Sequence, residues 1–145
     1  MTTPGCVFCA IGAGDVPASM VARDDDVAAF LDARPLFKGH VLVVPRAHVP
    51  TLSDMPPAAL GTLFTAVQRI ARAVEAGLGA DGTFVAMNNK VSQSVPHLHV
   101  HVVPRKRGDG LRGFFWPRQK YAGPEAMREV QEKLRAAVDR LRGTA

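Results

Sequence analysis

Hydrophobic and polar positions along the chain predict two helices. Apolar residues recur at helical spacing over residues 60–78, with charged residues mostly on the other side. Ser53 or Asp54 is the predicted N-cap of this helix. A second amphipathic pattern begins at Pro124 and continues to Leu141, and it predicts a C-terminal helix.

Short apolar stretches between these helices predict strands. Residues 21–23 and 27–31 flank an acidic turn and predict a hairpin. Residues 41–44 are apolar on both faces, which is typical of a central strand. Two further strands are predicted over residues 83–87 and 95–103, the second ended by Pro104. Because crossover helices do not alternate with the strands, we expect an α+β domain with an antiparallel sheet.

Length and composition predict one globular domain. The chain has 145 residues, of which 47% are hydrophobic and 21% charged. We expect a single domain over residues 1–145, with a core at about 6–105 and a basic, aromatic loop and helix over 106–145. No apolar run is long enough for a membrane span and no secretory pattern begins the chain, which favours the cytoplasm. In that reducing compartment a structural disulfide is not expected.

Positive charge is concentrated in one segment. The net charge is +5, and six basic residues are opposed only by Asp109: Arg105, Lys106, Arg107, Arg112, Arg118 and Lys120. The segment fits either an anionic ligand or a solvated loop. Nucleic-acid binding is not expected, because the sequence shows no stacking platform or recognisable nucleic-acid module.

Three histidines alternate along one predicted strand. Side chains on a strand alternate between faces, so His97, His99 and His101 are expected on one face, about 7 Å apart. The apolar residues that alternate with them, Leu98, Val100 and Val102, are expected to face the core. Such a row indicates either metal binding or nucleophilic and acid–base catalysis by imidazole. The pattern alone does not choose between them.

Four ordered motifs resemble the histidine triad (HIT) family. Residues 97–103 read His-x-His-x-His followed by two apolar residues, and Gln-Ser-Val precedes them at 93–95. Upstream, residues 38–48, 30–32 and 6–9 resemble further family blocks in the same order. The resemblance extends from about residue 6 to residue 105.

The resemblance implies a fold and an activity. Family members have a five-stranded antiparallel sheet with a long central helix, and they usually form homodimers through that helix and the adjacent strand. They bind nucleotides, here expected to be purine nucleotides, and cleave a substituent from the α-phosphate. The middle histidine, His99, would become covalently nucleotidylated before water releases the nucleotide. His101 would contact the phosphate and assist the leaving group.

Further substrate contacts follow from the same resemblance. Asp32 would hold the ribose hydroxyls, and the remaining predicted contacts are Asn88, Gln93 and Ser94. The segment over residues 88–93 is shorter than in many relatives and lacks their glycines, which leaves open whether Asn88 or Asn89 reaches the phosphate. The leaving group is an amine or a second nucleotide. The aromatic residues Phe114, Phe115 and Trp116 lie where substrate preference often varies.

A cysteine pair near the N-terminus is a candidate metal site. By itself the Cys-x-x-Cys of Cys6 and Cys9 fits buried thiols, a redox pair or half of a metal site. The resemblance adds His48 and His97 as ligands of a structural zinc with no open coordination position. No organic cofactor is expected. His40 either orients a neighbour or is a structural histidine.

Three functions are therefore consistent with the sequence. The first is a nucleotide hydrolase, with nucleotidyl transfer as a variant in which another acceptor replaces water. The second is a non-catalytic nucleotide-binding protein with the same fold. The third is a metal-dependent hydrolase that uses the three histidines together.

Overall fold

A computed structural model of the chain describes residues 3–112 and 118–142. The chain divides into two compact units, Met1–Asp109 and Gly110–Ala145. The first unit holds the sheet and two helices, and the second holds the C-terminal helix. The domain assignment over residues 1–145 stays a prediction.

The first unit contains a five-stranded antiparallel sheet. Its strands are β1 (Met20–Arg23), β2 (Val27–Leu31), β3 (Val41–Pro45), β4 (Gly82–Ala86) and β5 (Val100–Arg105). They are ordered β1-β2-β3-β5-β4 with every neighbouring pair antiparallel. The α+β class, the hairpin and the central position of β3 are thereby confirmed.

The last strand begins later than the sequence predicts. The strand predicted over residues 95–103 is observed as Val100–Arg105, and it continues through Pro104. Leu98 does not belong to the strand, because its amide donates to the Val49 carbonyl at 2.6 Å instead of pairing within the sheet. Pro104 is tolerated because β3 pairs with β5 only as far as Val102, so no donor is needed on that side.

A long helix covers one face of the sheet. Helix α2 (Pro57–Leu78; the shorter α1 is described next) buries one apolar side, formed by Leu63, Val67, Ile70 and Val74. The predicted caps Ser53 and Asp54 are wrong, because the N-cap is Pro56 and carries no side-chain hydrogen bond. Asp54 instead closes a preceding 3-10 turn, where its carboxylate accepts from the amide and hydroxyl of Thr51 at 3.1 and 2.6 Å.

A short helix absent from the sequence prediction covers the opposite face. Helix α1 (Val7–Ala13) packs Phe8 and Ile11 against sheet residues that include Phe30 and Leu42. Its seven residues are too few to show a clear helical period, and Cys6 at its N-cap makes no side-chain capping bond. The sheet therefore lies between α2 on one face and α1 on the other.

The second unit contains helix α3 (Pro124–Leu141), as the sequence predicts. The helix has no buried residue. Across both described stretches of the chain, no helix is long and apolar enough to cross a membrane.

Gly39, in the loop before β3, lies where the packing leaves no room for a side chain. Its φ is +94°, and an added Cβ would collide with Leu78 and lie 3.2 Å from Pro104. We expect Gly39→Ala to lower the free energy of unfolding by about 2–4 kcal/mol, because left-handed strain and overpacking add. Gly61→Ala is the control, since Gly61 lies in α2 with no atom near the added methyl. It should stabilise by about 0.5–1 kcal/mol in urea unfolding, and equal effects of the two variants would contradict the prediction.

Candidate active site and cysteine–histidine cluster

The three triad histidines lie on the α1 side of the sheet. The ring of Phe8 packs edge-on against His97 and His99, with centroids 6.0 and 5.1 Å apart. The His99 and His101 rings are 5.0 Å apart. The apolar residues that alternate with the histidines belong to the core under α2 and are Leu98, Val100 and Val102. The predicted shared face is confirmed, although only His101 of the three lies within β5.

His97 belongs to a cluster with two cysteines and a second histidine. Cys6 Sγ lies 3.4 Å from His97 Nδ1, and Cys9 Sγ lies 3.4 Å from His48 Nδ1. One ligand atom from each of the four residues lies within 4.8 Å of all the others. The structure thus brings together the four predicted zinc ligands. Two thiols and two imidazoles form a donor set typical of closed structural zinc sites.

The ring of His97 is oriented for that cluster. Its Nε2 donates to the Pro45 carbonyl oxygen at 2.7 Å, so its Nδ1 carries the lone pair and faces the thiols. A metal-binding imidazole is commonly fixed in this way by a bond from its other nitrogen. Burial lowers the pKa of His97, which favours the neutral ring that a metal requires.

His99 is oriented by the backbone of the same segment. It is 3% exposed, and its Nδ1 is 2.7 Å from the carbonyl oxygen of His97. A carbonyl only accepts, so Nδ1 carries the proton and donates. The remaining nitrogen, Nε2, therefore has the lone pair that a nucleophile needs.

His101 lies beside His99 and is held by a third imidazole. Its Nδ1 is 2.9 Å from Nε2 of His40. Burial, followed by the neighbouring rings of His99 and His40, lowers the pKa of His101 to about 4. His101 is therefore neutral at pH 7.

His99 and His101 open onto a cleft of about 920 Å³. Its polar lining includes both histidines, Asp32 and Ser94, and its apolar lining includes Phe8 and Phe30. Asp32 is half-buried, and one of its carboxylate oxygens accepts from the Arg34 amide at 2.9 Å. The cleft thus combines apolar side chains with imidazoles and a carboxylate, which suits a nucleotide.

Two predicted substrate contacts do not line this cleft. Gln93 donates to the Pro50 carbonyl at 2.6 Å and accepts from the Lys90 amide at 2.9 Å. Asn88 donates to the Ser92 carbonyl at 3.2 Å. Lys90 and Ser92 have positive φ values of 68° and 58°, so they take a conformation usual for the glycines that this segment lacks.

Sequence reasoning missed the contribution of α1 and the partner of His101. Phe8 lies between the two cysteines and forms part of the cleft wall, and Ile11 follows it one turn later. The contact of His40 with His101 was not predicted, although an orienting role for His40 was one of two options. Phe114, Phe115 and Trp116 lie outside the described residues.

The family model for the HIT domain matches residues 13–108. The chain therefore belongs to the HIT family. An uncharacterised HIT-like protein of Mycobacterium tuberculosis is 46% identical over 108 residues, covering 73% of this chain and 75% of the relative. The adenosine 5'-monophosphoramidase of Schizosaccharomyces pombe is 28% identical over 135 residues, covering 92% of this chain and 98% of the relative. The bis(5'-nucleosyl)-tetraphosphatase of the same organism is 40% identical over 84 residues, covering 57% of this chain and 46% of the relative.

Solved structures of the family share the fold. A Streptococcus mutans protein is 35% identical with a TM-score of 0.85, covering 94% of this chain and 87% of its own. A zinc-bound histidine triad family protein of Mycobacterium smegmatis is 41% identical with a TM-score of 0.70, covering 97% and 98%. The five-stranded sheet with its long helix is thus the architecture of the family.

The low pKa of His101 predicts an acid-dependent loss of stability. In the unfolded chain a histidine has its ordinary pKa of 6.5, whereas the folded value is about 4. As the pH falls, the unfolded chain therefore binds the proton first. The contribution of this ring to the free energy of unfolding is fully present above pH 6.5 and is lost as the pH falls from 6.5 to about 4. One histidine contributes a slope of at most about 1.4 kcal/mol per pH unit.

The measurement compares urea unfolding of the native chain and His101→Asn at pH 7 and at pH 4.5. The variant should lose less stability between these values, and the His101 ring resonances should titrate near pH 4. A midpoint near 6.5 with parallel stability curves would show that the ring is not desolvated.

Proposed function

We propose that the protein cleaves a substituent from the α-phosphate of a nucleotide through a covalent intermediate on His99. The observation that carries this proposal is the bond from His99 Nδ1 to the His97 carbonyl, which leaves Nε2 free at the cleft. A neutral imidazole with a fixed tautomer is a competent nucleophile toward phosphorus.

The reaction is proposed to proceed in two displacements. The lone pair of His99 Nε2 attacks the α-phosphorus, and the bond to the substituent breaks with its electron pair leaving on the substituent. The positive charge that develops on the ring is stabilised by the Nδ1–H bond to the carbonyl. Water then attacks phosphorus, loses a proton and releases the nucleotide, and His99 regains its lone pair. With another acceptor in place of water, the same intermediate would give nucleotidyl transfer.

The other cleft residues are proposed to position a purine nucleotide. Asp32 would accept hydrogen bonds from the ribose hydroxyls, and Phe8 and Phe30 would contact the base. Ser94 and His101 line the same cleft as His99 and would contact phosphate or leaving-group oxygens. Asn88 and Gln93 would reach the phosphate only after exchanging their present backbone bonds.

Two of the relatives whose names state an activity support the two expected substrate classes. The monophosphoramidase relative supports a nucleoside phosphoramidate with an amine leaving group. The tetraphosphatase relative supports a dinucleoside polyphosphate with a nucleotide leaving group. We favour the phosphoramidate, because the phosphoramidase relative matches nearly the whole chain whereas the tetraphosphatase matches 57% of it.

We further propose that Cys6, Cys9, His48 and His97 hold one zinc ion. The zinc-bound relative from M. smegmatis and the donor set support this assignment. Zinc bound by four protein ligands would supply a structural crosslink between α1 and the histidine segment. A hydrolase using all three triad histidines on one metal is disfavoured, because His97 faces the thiols whereas His99 and His101 face the cleft.

A homodimer is also proposed, on the family resemblance. Strand β4 lies at an edge of the sheet and exposes Val85, and helix α2 exposes Phe64. An unpaired edge beside exposed apolar side chains is suited to pairing with a second copy of the chain. Such pairing would join two sheets into one.

The function is tested with adenosine phosphoramidate and diadenosine tetraphosphate as substrates. His99→Asn should lower kcat/KM at least about 1,000-fold, because the nucleophile is lost. Val27→Ala, a core substitution on the α2 side of the sheet, controls for lost stability. Mass spectrometry of the quenched native reaction should show a nucleotidyl adduct on His99.

The alternatives give different results in the same assay. A binding protein would show nucleotide affinity without turnover of either substrate. A metal-dependent hydrolase would lose activity on brief chelation and show no adduct. Full activity of His99→Asn would refute the proposed mechanism.

The zinc proposal is tested by elemental analysis of the purified chain. We expect one zinc per chain in the native protein and none in Cys9→Ser. At a zinc concentration a hundredfold above Kd, binding stabilises the folded state by about 2.7 kcal/mol, or roughly 8 °C in Tm. Chelation should lower Tm by at least this amount and expose two thiols to a thiol reagent. An unchanged Tm in a metal-free native chain would refute the site.

A further inference from the structure

His40 is buried between a peptide group and the ring of His101. It is 3% exposed. Its Nδ1 is 3.1 Å from the backbone amide of Leu36, and its Nε2 is 2.9 Å from Nδ1 of His101. A peptide N–H can only donate, so Nδ1 of His40 accepts and is the nitrogen with the lone pair.

This peptide group determines the proton positions on both rings. Burial lowers the pKa of His40, so the ring is neutral and its single proton lies on Nε2. That proton is donated to Nδ1 of His101. The single proton of the neutral His101 ring therefore lies on Nε2.

The two imidazoles at the cleft consequently have opposite polarity. His99 has its proton on Nδ1, where the His97 carbonyl accepts it, and its lone pair on Nε2. His101 has its lone pair on Nδ1, where His40 donates, and its proton on Nε2. The rings are 5.0 Å apart and both line the cleft. A nucleophilic nitrogen and a hydrogen-bond donor thus lie side by side.

We propose that His40 is a positioning residue that fixes His101 as an Nε2–H donor to a phosphate or leaving-group oxygen. The catalytic consequence rests on the proposed function, whereas the tautomer does not. With the opposite tautomer, His101 would present a lone pair to an anionic oxygen and repel it. A neutral donor aimed at oxygens that gain charge stabilises the transition state more than the ground state.

The loop that carries His40 also carries Asp32. The Asp32 amide donates to the His40 carbonyl at 2.9 Å, and the His40 amide donates to the Phe37 carbonyl at 3.0 Å. The Asp32 carboxylate lies 3.8 Å from His40 Nε2, beyond hydrogen-bond distance. His101 Nδ1 is therefore the partner of the His40 proton, and the same loop positions the carboxylate proposed to hold the ribose.

Two substitutions at His40 separate positioning from packing. His40→Gln keeps an amide oxygen for the Leu36 amide and an N–H₂ donor for His101. His40→Leu keeps an apolar body and removes both bonds. We expect His40→Leu to lower kcat about 100-fold with KM within about threefold, and His40→Gln to retain at least about a third of kcat. Val27→Ala again controls for stability loss.

The tautomer is read directly from ring ¹⁵N shifts and ring N–H couplings of His101 at pH 7, without substrate. The proposal predicts the Nε2–H form in the native chain and in His40→Gln, and a mixture of forms in His40→Leu. An Nδ1–H ring in the native chain would overturn it, as would an unchanged tautomer or unchanged kcat in His40→Leu. If His40→Leu does not fold, the native and His40→Gln spectra still decide. If the native chain turns over neither substrate, the proposed function fails while the tautomer assignment is still tested.

Discussion

The 2.7 Å hydrogen bond from His99 Nδ1 to the carbonyl of His97 connects the cysteine–histidine cluster to the cleft. The carbonyl is held in place because the His97 side chain is fixed at both nitrogens, by the Pro45 carbonyl and by the thiols. The cluster and the proposed nucleophile are thus two residues apart on one segment of backbone. A metal bound by the cluster would keep that carbonyl aimed at His99.

The two faces of the sheet differ in composition. The face under α2 is a fully apolar core that includes Val43, Val100 and Val102, each with no exposed surface. The other face places imidazoles under α1, where every buried side-chain nitrogen and oxygen among the described residues has a hydrogen-bond partner. Buried histidines are costly without such partners. Helix α1 and its N-cap residue supply the two cysteines of the cluster, and α1 supplies Phe8 to the cleft, so this short segment contributes to both sites.

Much of the fold could be predicted from local patterns. The period of two in residues 97–101 correctly separated the histidines from the core residues, and helical spacing located α2. Helix α1 could not be predicted, because seven residues with no capping side chain carry little local signal. The start of β5 depends on a bond between Leu98 and Val49, which are far apart in the chain. The contact of His40 with His101 depends on the register that pairs Leu42 with His101.

The proposed chemistry rests on a covalent bond between His99 and phosphorus, and the stereochemical course at phosphorus tests this most directly. The substrate would be an adenosine phosphoramidate made chiral by sulfur at the α-phosphorus and hydrolysed in ¹⁸O-labelled water. Two successive displacements invert the centre twice, so the account predicts net retention of configuration in the product. Net inversion would show that water attacks phosphorus directly, and the covalent mechanism would be wrong.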